Sequence, residues 1–359
     1  MFVLLLIWFK EVQYDELAQI RRNCRTFTII SLVLLGKIMS DIDQKNDSVG
    51  EAKGAFEAFE NAMGLLIAQN KEHVDFTPKT RVDGKVAIVT GGDSGIGYHT
   101  SRELARLGAH VIIASNNEQN GLEAVAKIRS EINDTNGLQI EYTRLNLESF
   151  SSIRAFISAF IARNIPLNFL VNNAGISRSH EESTVDGYDS VFGVNYLGHF
   201  LLTNLLLEKL KSSEPVREVF LTSVMHHFVF EIPDRIVKPN HSDNANPLEG
   251  YNYSKLAIAA SAKKFAKILE GTGVSVFFVH PGLVLTPILN HLPSEYHKFV
   301  KLDQLLSAEQ GAATSLYALL EPNIENLSER YLAYSRVADH NPVIDSDDFL
   351  NHLWDRSIK

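Results

Sequence analysis

Tyr251 and Lys255 are the residues whose types and spacing best suit acid–base chemistry. They lie four positions apart in the segment Tyr-Asn-Tyr-Ser-Lys, so on a helix the phenol and the ammonium group share one face. A free phenol has a pKa of about 10 and is a weak acid at neutral pH. A nearby cation favours the phenolate, and we therefore expect Lys255 to lower the pKa of Tyr251. Such a pair often has no role beyond the protein surface, so its interpretation depends on the rest of the chain.

A glycine-rich turn lies upstream of this pair. Residues 90–97 read Thr-Gly-Gly-Asp-Ser-Gly-Ile-Gly and follow the apolar run Lys85–Val89. Glycines allow a tight turn and the close approach of a pyrophosphate, and the first N–H groups of a following helix attract its charge. An ordinary glycine-rich turn has a similar composition, but the position between strand and helix favours dinucleotide binding. The expected cofactor contacts from this turn are Gly91, Asp93, Ser94, Gly95, Ile96 and Gly97.

The elements that position these residues alternate from Asp83 onward. Apolar runs typical of buried strands occur at Lys85–Val89, His110–Ala114, Ile140–Leu145, Asn168–Val171, Glu218–Leu221 and Val274–His280. Helical patterns lie between them at His99–Leu107, Leu122–Ile132, Ser152–Ala162 and Tyr188–Leu210. Apolar strands that alternate with helices predict an α/β fold with a doubly wound parallel sheet (Rossmann). We predict a single catalytic domain over residues 83–359.

Several further motifs, in the same order along the chain, resemble the short-chain dehydrogenase/reductase family. Asn-Asn-Ala-Gly at residues 172–175 resembles the segment that braces the sheet beside the adenosine. Asn195 resembles the helix asparagine of the family's catalytic tetrad, and Ser223 resembles its serine. Pro281 and Gly282, with Thr286, resemble the loop that holds the nicotinamide carboxamide. The residues around Asn195, Tyr251 and Glu309 are most similar to the retinol dehydrogenase and WW-domain oxidoreductase branch, although the chain contains no WW domain.

This resemblance implies an NAD(P)-dependent oxidoreductase that interconverts a lipophilic alcohol, such as a retinoid or steroid, and its carbonyl. Hydride transfer belongs to the cofactor. Tyr251 is then the general acid or base, and Lys255 supplies positive charge and holds the nicotinamide ribose. Ser223 binds the substrate oxygen, and Asn195 holds a water that links Lys255 to solvent. The alternative is a catalytically weak relative that binds a nucleotide or a protein partner.

The resemblance also implies a cofactor site beyond the glycine turn. Its further members are Ser115, Asn116, Asn146, Asn173, Ala174, Gly175, Tyr251, Lys255, Pro281, Gly282 and Thr286. The related branch implies NADP, but Asn116 replaces the arginine that would pair with its 2′-phosphate. Ser115 stands where NAD-dependent relatives have an acid, and Asp93 would disfavour a phosphate if it faced the ribose. NADP is therefore our prediction and NAD the alternative.

Composition excludes other classes of function. The net charge of −9 argues against nucleic-acid binding, which needs clustered Lys and Arg. Cys24 is the only cysteine, so neither an intrachain disulfide nor a thiolate zinc site is expected. His226 and His227 are adjacent and lack an accompanying carboxylate cluster, so we interpret them as residues of a loop or pocket rim and predict no metal site.

The segments before the catalytic domain are of a different kind. Residues 1–38 contain two apolar runs and intervening basic residues, too short to cross a bilayer as helices. A membrane-surface anchor, a signal-like segment and an upstream extension of the true chain remain open. Residues 39–82 predict a polar linker and an amphipathic helix over Glu51–Asn70. We expect a cytoplasmic protein. Peripheral membrane association, with the catalytic domain facing the cytosol, and a homodimer through Tyr188–Leu210 remain open.

Overall fold

The apolar runs of the sequence form one eight-stranded sheet. A computed structural model describes residues 70–71, 73–133, 137–178, 182–238, 247–286, 288–289 and 302–359. The strands are β1 Val86–Thr90, β2 His110–Ser115, β3 Ile140–Arg144, β4 Phe169–Asn172, β5 Val216–Leu221, β6 Val274–His280, β7 Tyr331–Ala333 and β8 Arg336–Val337. Their spatial order is β3-β2-β1-β4-β5-β6-β7-β8, and only β8 is antiparallel to its neighbour. The predicted doubly wound parallel sheet is confirmed.

Helices cover both faces of this sheet. They are α1 Gly95–Arg106, α2 Glu118–Glu131, α3 Phe150–Ala162, α4 Ser190–Lys211, α5 Pro247–Ile268, α6 Ala308–Leu320 and α7 Asp347–Ile358. Successive residues of a strand point to opposite faces, so each strand contributes to two core layers. In β1, Ile88 packs in one layer, while Ala87 and Val89 pack in the other. The strands are therefore apolar on both sides, as a sheet between two helical layers requires.

The longest apolar helix belongs to the domain core. Among the described residues, α4 is the one helix long and apolar enough to cross a membrane, and 78% of its most apolar window is buried. Its side chains Leu202, Leu206 and Leu210 have no exposed surface. This burial is what a core helix shows, so α4 gives only weak evidence for a membrane span. Residues Gly193–Leu197 of α4 form a π-helical turn.

The segment before β1 packs on the domain from residue 70 onward. Asn70 is 4% exposed, and its side chain accepts from Leu283 N (2.9 Å) and donates to Leu283 O (2.9 Å) and Gln304 O (3.1 Å). Phe76 packs edge-on against Tyr317 of α6, with ring centroids 5.3 Å apart. Residues 1–38 and all of the predicted amphipathic helix before Asn70 lie outside the described residues.

Candidate active site

The glycine turn connects β1 to α1 by a backbone that only glycine adopts easily. Gly91 and Gly95 have φ values of +60° and +52°, in the left-handed region. At Gly97 the limit is space, because a Cβ there would lie 2.2 Å from Gly91 O and 2.5 Å from Asn173 Nδ2. The turn is thereby packed directly on the segment that follows β4.

The beginning of α1 fits an anionic group. Ser94 is the N-cap residue, but its side chain makes no capping hydrogen bond, and the first turn contains no acidic residue. A Cβ on Gly95 would meet one atom within 4 Å, Thr286 Cγ2 at 3.8 Å. Open N–H groups and open space at a helix N-terminus are what a pyrophosphate requires. Residues 91–97 therefore fit the phosphates of a dinucleotide.

Thr90 holds the glycine turn against the Asn-Asn-Ala-Gly segment. Its hydroxyl accepts from Asn173 N and Ala174 N, both at 2.9 Å, and it is fully buried. Asn173 Nδ2 also donates to Thr90 O at 2.8 Å. A Cβ on Gly175 would lie 3.6 Å from both Asn195 Oδ1 and Lys255 Nζ. The segment at residues 172–175 therefore extends from the glycine turn to the predicted catalytic residues.

The structure brings Ser223, Tyr251 and Lys255 together at the carboxyl end of β5. The Ser223 hydroxyl lies close enough to the Tyr251 phenol to lower its pKa. Lys255 Nζ lies 5.4 Å from the centroid of the Tyr251 ring and donates to Leu221 O at 2.9 Å. Helix α5 carries both Tyr251 and Lys255 on the face toward the sheet, as their spacing predicts. Two hydroxyls beside a buried amine can transfer a proton to or from a polar atom of a bound small molecule.

The expected pKa of Tyr251 is wrong in direction. Burial raises the pKa of Tyr251 to about 12, against the smaller lowering effect of the nearby Ser223 hydroxyl. Burial also lowers the pKa of Lys255 to about 7, and its side chain is almost fully inaccessible. An amine that is only partly protonated at neutral pH provides less positive charge to the phenol. The sequence argument assigned a full charge to Lys255 and neglected the desolvation of both groups.

Asn195 lies in the π-helical turn of α4 and uses its side chain to hold neighbouring backbone. Its Oδ1 accepts from Ile176 N at 2.8 Å, and its Nδ2 donates to Ile176 O and Ser254 Oγ, both at 3.0 Å. Both amide hydrogens are thus occupied, and one lone pair of Oδ1 remains. A water on Asn195 stays a prediction, and this lone pair is where the side chain could bind it.

The predicted adenosine contacts lie at the carboxyl ends of β2 and β3. Ser115 ends β2 and is buried, whereas the next residue, Asn116, is exposed. Asp93 faces Ser115; burial raises the pKa of this carboxyl, while the Ser115 hydroxyl has a smaller lowering effect. Asn146 Oδ1 already accepts from Glu148 N at 3.0 Å. An acid and two amides, without a described basic side chain bound to them, line this end of the groove.

The loop after β6 lies across the groove from the glycine turn. Residues Pro281–Thr286 form this loop, called the β6 loop below, and Gly282 has a φ of +94°. A Cβ on Gly282 would lie 2.6 Å from Leu306 Cδ1 and 3.0 Å from Asn70 Oδ1. Leu306 pairs with the loop through Leu285 N to Leu306 O and Leu306 N to Leu283 O, both 2.8 Å. Residue 287 and residues 290–301, which follow this loop, lie outside the described residues.

His226 and His227 lie in the connection after β5, as one of the two predicted alternatives has it, but they are buried in the domain and not at a pocket rim. They lie in a 3-10 turn, Val224–Phe228, and both are buried, with ring centroids 4.0 Å apart. His226 Nδ1 donates to Ser223 O at 2.5 Å, and Asn341 N donates to His226 Nε2 at 3.3 Å. The tight turn brings adjacent rings together where an extended chain would separate them. Within the described residues no cluster of His, Cys, Asp or Glu could hold a metal.

Two residues of this network were not predicted from the sequence. His199 contacts Thr90 Oγ1 through Nε2 and Asn195 O through Nδ1, both at 2.9 Å. Ser254 receives the hydrogen bond of Asn195 and donates to Tyr251 O at 2.7 Å. A histidine among leucines on a helix does not by itself indicate a function. The position of His199, four residues after Asn195, is the one feature of the sequence that could have indicated its contact with that residue.

Comparisons with known proteins agree with this geometry. The family of short chain dehydrogenases matches residues 85–231. Human retinol dehydrogenase 12 is 38% identical over 285 residues, covering 78% of this chain and 87% of that protein. Human polyprenol dehydrogenase is also 38% identical over 285 residues, covering 77% and 84% of the two chains.

Solved structures show the same fold. An uncharacterized protein from Mycobacterium paratuberculosis has a TM-score of 0.60 and 27% identity, over 78% of this chain and 96% of its own. Actinorhodin polyketide ketoreductase, solved with NADPH, has a TM-score of 0.56 and 21% identity, over 75% and 100% of the two chains.

The fold and the site define an NAD(P)-dependent oxidoreductase with a dinucleotide-binding sheet. This chain belongs to the short-chain dehydrogenase family, in the branch similar to the retinol dehydrogenases, and it acts on alcohols. The predicted family and enzyme class are confirmed, as is the use of a nicotinamide dinucleotide.

Proposed function

We propose that this enzyme interconverts a lipophilic alcohol and its carbonyl, with Tyr251 as the general acid and base. The observation that carries this proposal is the meeting of Ser223, Tyr251 and Lys255 at the end of β5, opposite an open helix N-terminus. The names of the relatives, retinol and polyprenol dehydrogenases, support a long apolar alcohol as the substrate class.

The dinucleotide supplies hydride chemistry when it is bound. Its phosphates fit residues 91–97, and its nicotinamide would lie between the β6 loop and Lys255. NADP remains the proposed form by resemblance to the branch, with NAD as the alternative. Lys255 is then expected to bind the ribose hydroxyls beside the ring, as the family resemblance implies.

Each catalytic side chain has a role that its contacts support. The Tyr251 phenol gives its proton to the carbonyl oxygen during reduction and takes it back during oxidation. The Ser223 hydroxyl, which lies beside that phenol, would donate to the substrate oxygen and stabilise its developing charge. With the phenol pKa at about 12, oxidation needs a further positive charge near Tyr251. A protonated Lys255 provides this charge, and Asn195 would hold the water through which Lys255 regains its proton.

The test uses purified full-length protein with NADPH or NADH and three carbonyls: retinaldehyde, a steroid ketone and a long-chain aldehyde. We expect turnover of at least one of them. Tyr251→Phe should lower kcat by at least about 100-fold, the usual contribution of a positioned acid, and leave the cofactor Kd within about threefold. Tyr253→Phe, two positions along the same helix, is the matched control and should retain kcat within about threefold.

Two outcomes contradict the proposal. A Tyr251→Phe variant that keeps most of its kcat would remove the assignment of the acid. No turnover by the wild-type chain with any of the carbonyls, together with tight cofactor binding, would favour the nucleotide- or partner-binding alternative.

The location and assembly of the enzyme are part of the same proposal. We expect a cytosol-facing catalytic domain that associates peripherally with membranes through residues 1–38, and a homodimer through the outer face of α4. Flotation of the full chain with lipid vesicles, compared with a chain that starts at Met39, tests the first. Sedimentation of the full chain tests the second.

A further inference from the structure

His199 joins the two halves of the candidate site. It is 2% exposed, and its ring lies between Thr90, the last residue of β1, and the π-helical turn of α4. Thr90 directly precedes the glycine turn, and Asn195 is the predicted tetrad member on α4. The proposed chemistry does not use this ring.

The partners of His199 fix the position of its proton. Asn195 O is a carbonyl and can only accept, so Nδ1 carries a hydrogen and donates across 2.9 Å. The Thr90 hydroxyl already accepts from Asn173 N and Ala174 N, which occupy its two lone pairs. Its one hydrogen is therefore available to Nε2 of His199 at 2.9 Å, with Val171 O a longer alternative at 3.2 Å.

A protonated ring does not fit this arrangement. A second N–H on His199 would point at the Thr90 oxygen, which has no free lone pair. Burial is the main cause that lowers the pKa of His199 to about 4; the hydrogen bond to Asn195 O raises it by less, and Lys255 lowers it by less still. The contacts and the environment thus agree on a neutral ring with its hydrogen on Nδ1.

The hydrogen bonds continue from His199 to the general acid. Asn195 Nδ2 donates to Ser254 Oγ at 3.0 Å, and Ser254 Oγ donates to Tyr251 O at 2.7 Å. A series of contacts, which passes from the backbone of Asn195 to its side chain, therefore runs from the end of β1 to the backbone of the tyrosine. We propose that His199 is a positioning residue, which holds the glycine turn through Nε2 and the catalytic helix turn through Nδ1.

Two conservative variants separate these two contacts. In His199→Asn the amide nitrogen takes the place of Nδ1 and keeps the bond to Asn195 O, but nothing reaches Thr90. In His199→Gln the amide group takes the place of Nε2 and keeps the bond to Thr90, but Asn195 O loses its donor. The measurements are the Kd of NADPH and NADH by fluorescence titration, and kcat with retinaldehyde.

We expect His199→Asn to raise the cofactor Kd roughly tenfold with kcat changed less than about threefold, since losing a partner of a buried group commonly has that effect. His199→Gln should do the reverse. Asn204→Ala is the control, because Asn204 lies on the same helix and its amide donates to Phe200 O. It should change neither quantity more than about twofold.

The proposal is overturned if the Asn and Gln variants both match the wild type, or if both shift Kd and kcat equally, as a purely structural role would predict. The kcat measurement rests on the proposed function, whereas the Kd measurement needs no substrate and stands if retinaldehyde is not turned over. Should both His199 variants fail to fold, Ser254→Ala tests the far end of this series of contacts. It should lower kcat at least about threefold without changing Kd, and an unchanged kcat would sink the idea.

Discussion

Replacing Lys255 by methionine tests whether the amine at the centre of the site is held close to neutrality. Lys255 is 3% exposed, and its Nζ donates to Leu221 O at 2.9 Å. Burial lowers its pKa from 10.5 to about 7. Methionine has similar length and no charge, so Lys255→Met removes the titration and leaves most of the packing.

The pH dependence has a definite sign. Between the native pKa of about 7 and the unfolded value, the unfolded chain binds a proton that the folded chain lacks. The free energy of unfolding of the wild type therefore rises with pH in this window, and a variant without the amine lacks this rise. At about 1.4 kcal/mol per pKa unit, the window corresponds to roughly 5 kcal/mol, of which about 2–3 kcal/mol falls between pH 7.5 and 9.5.

Urea unfolding of the cofactor-free wild type and Lys255→Met at pH 7.5 and 9.5 measures this difference. The unpaired Leu221 carbonyl of the variant is a constant cost and cancels between the two pH values. From pH 7.5 to 9.5, the free energy of unfolding of the wild type should rise by about 2–3 kcal/mol more than that of the variant. A difference that stays within about 0.5 kcal/mol would refute the reasoning, because Lys255 would then titrate alike in both states. Lys264→Met, on the outer side of α5, shows how much any lysine of this helix contributes.

Three further substitutions test the turn, the core and the segment before β1. Gly97→Ala should lower the unfolding free energy by about 2 kcal/mol and weaken cofactor binding, because its Cβ would lie 2.2 Å from Gly91 O. Burial raises the pKa of the Glu218 carboxyl to about 7, so the wild type loses stability as this group ionises. Between pH 4.5 and 8, the free energy of unfolding of Glu218→Gln should therefore rise by roughly 3 kcal/mol relative to that of the wild type. Asn70→Leu should lower the unfolding free energy by about 3 kcal/mol, since three hydrogen bonds to the β6 loop and its neighbour are lost. Urea unfolding and cofactor titration check all three.

Matched controls sharpen these comparisons. Gly175→Ala meets its nearest atoms at 3.6 Å, so its stability should remain near that of the wild type. A Gly97→Ala chain as stable as Gly175→Ala would contradict the packing argument. Asn70→Asp keeps the acceptor for Leu283 N and should fall between wild type and Asn70→Leu. If the difference in unfolding free energy between Glu218→Gln and the wild type does not vary with pH, the Glu218 carboxyl is not protonated in the folded protein.

Local patterns predicted most of the sheet and the cofactor turn. The run Lys85–Val89 was displaced by one residue from β1, and Val274–His280 agrees with β6. Apolar runs and glycine spacing are properties of neighbouring residues, so a sequence reveals them directly. Strands β7 and β8, of three and two residues, escaped prediction because so short a run has no measurable periodicity.

The features that could not be predicted depend on burial and distant contacts. The raised pKa of Tyr251 and the lowered pKa of Lys255 both follow from how deeply the fold encloses them. Glu218 was included in an apolar strand, yet it lies buried with Thr203 and Asn172, which come from other elements. The burial of His226 could not be predicted, because the sequence shows its neighbours along the chain and not its contact with Asn341, 115 positions away.

Asn70 gives the protein a dependence that the family resemblance would not reveal. The amide of this one residue grips both backbone groups of Leu283, and it comes from a stretch that precedes the matched region at residue 85. Cleavage of the chain between Asn70 and Gly84 would leave the sheet intact but detach Asn70 and its hydrogen bonds to the β6 loop from the domain. Proteolysis before β1 would thus alter the β6 loop through the loss of a single side chain.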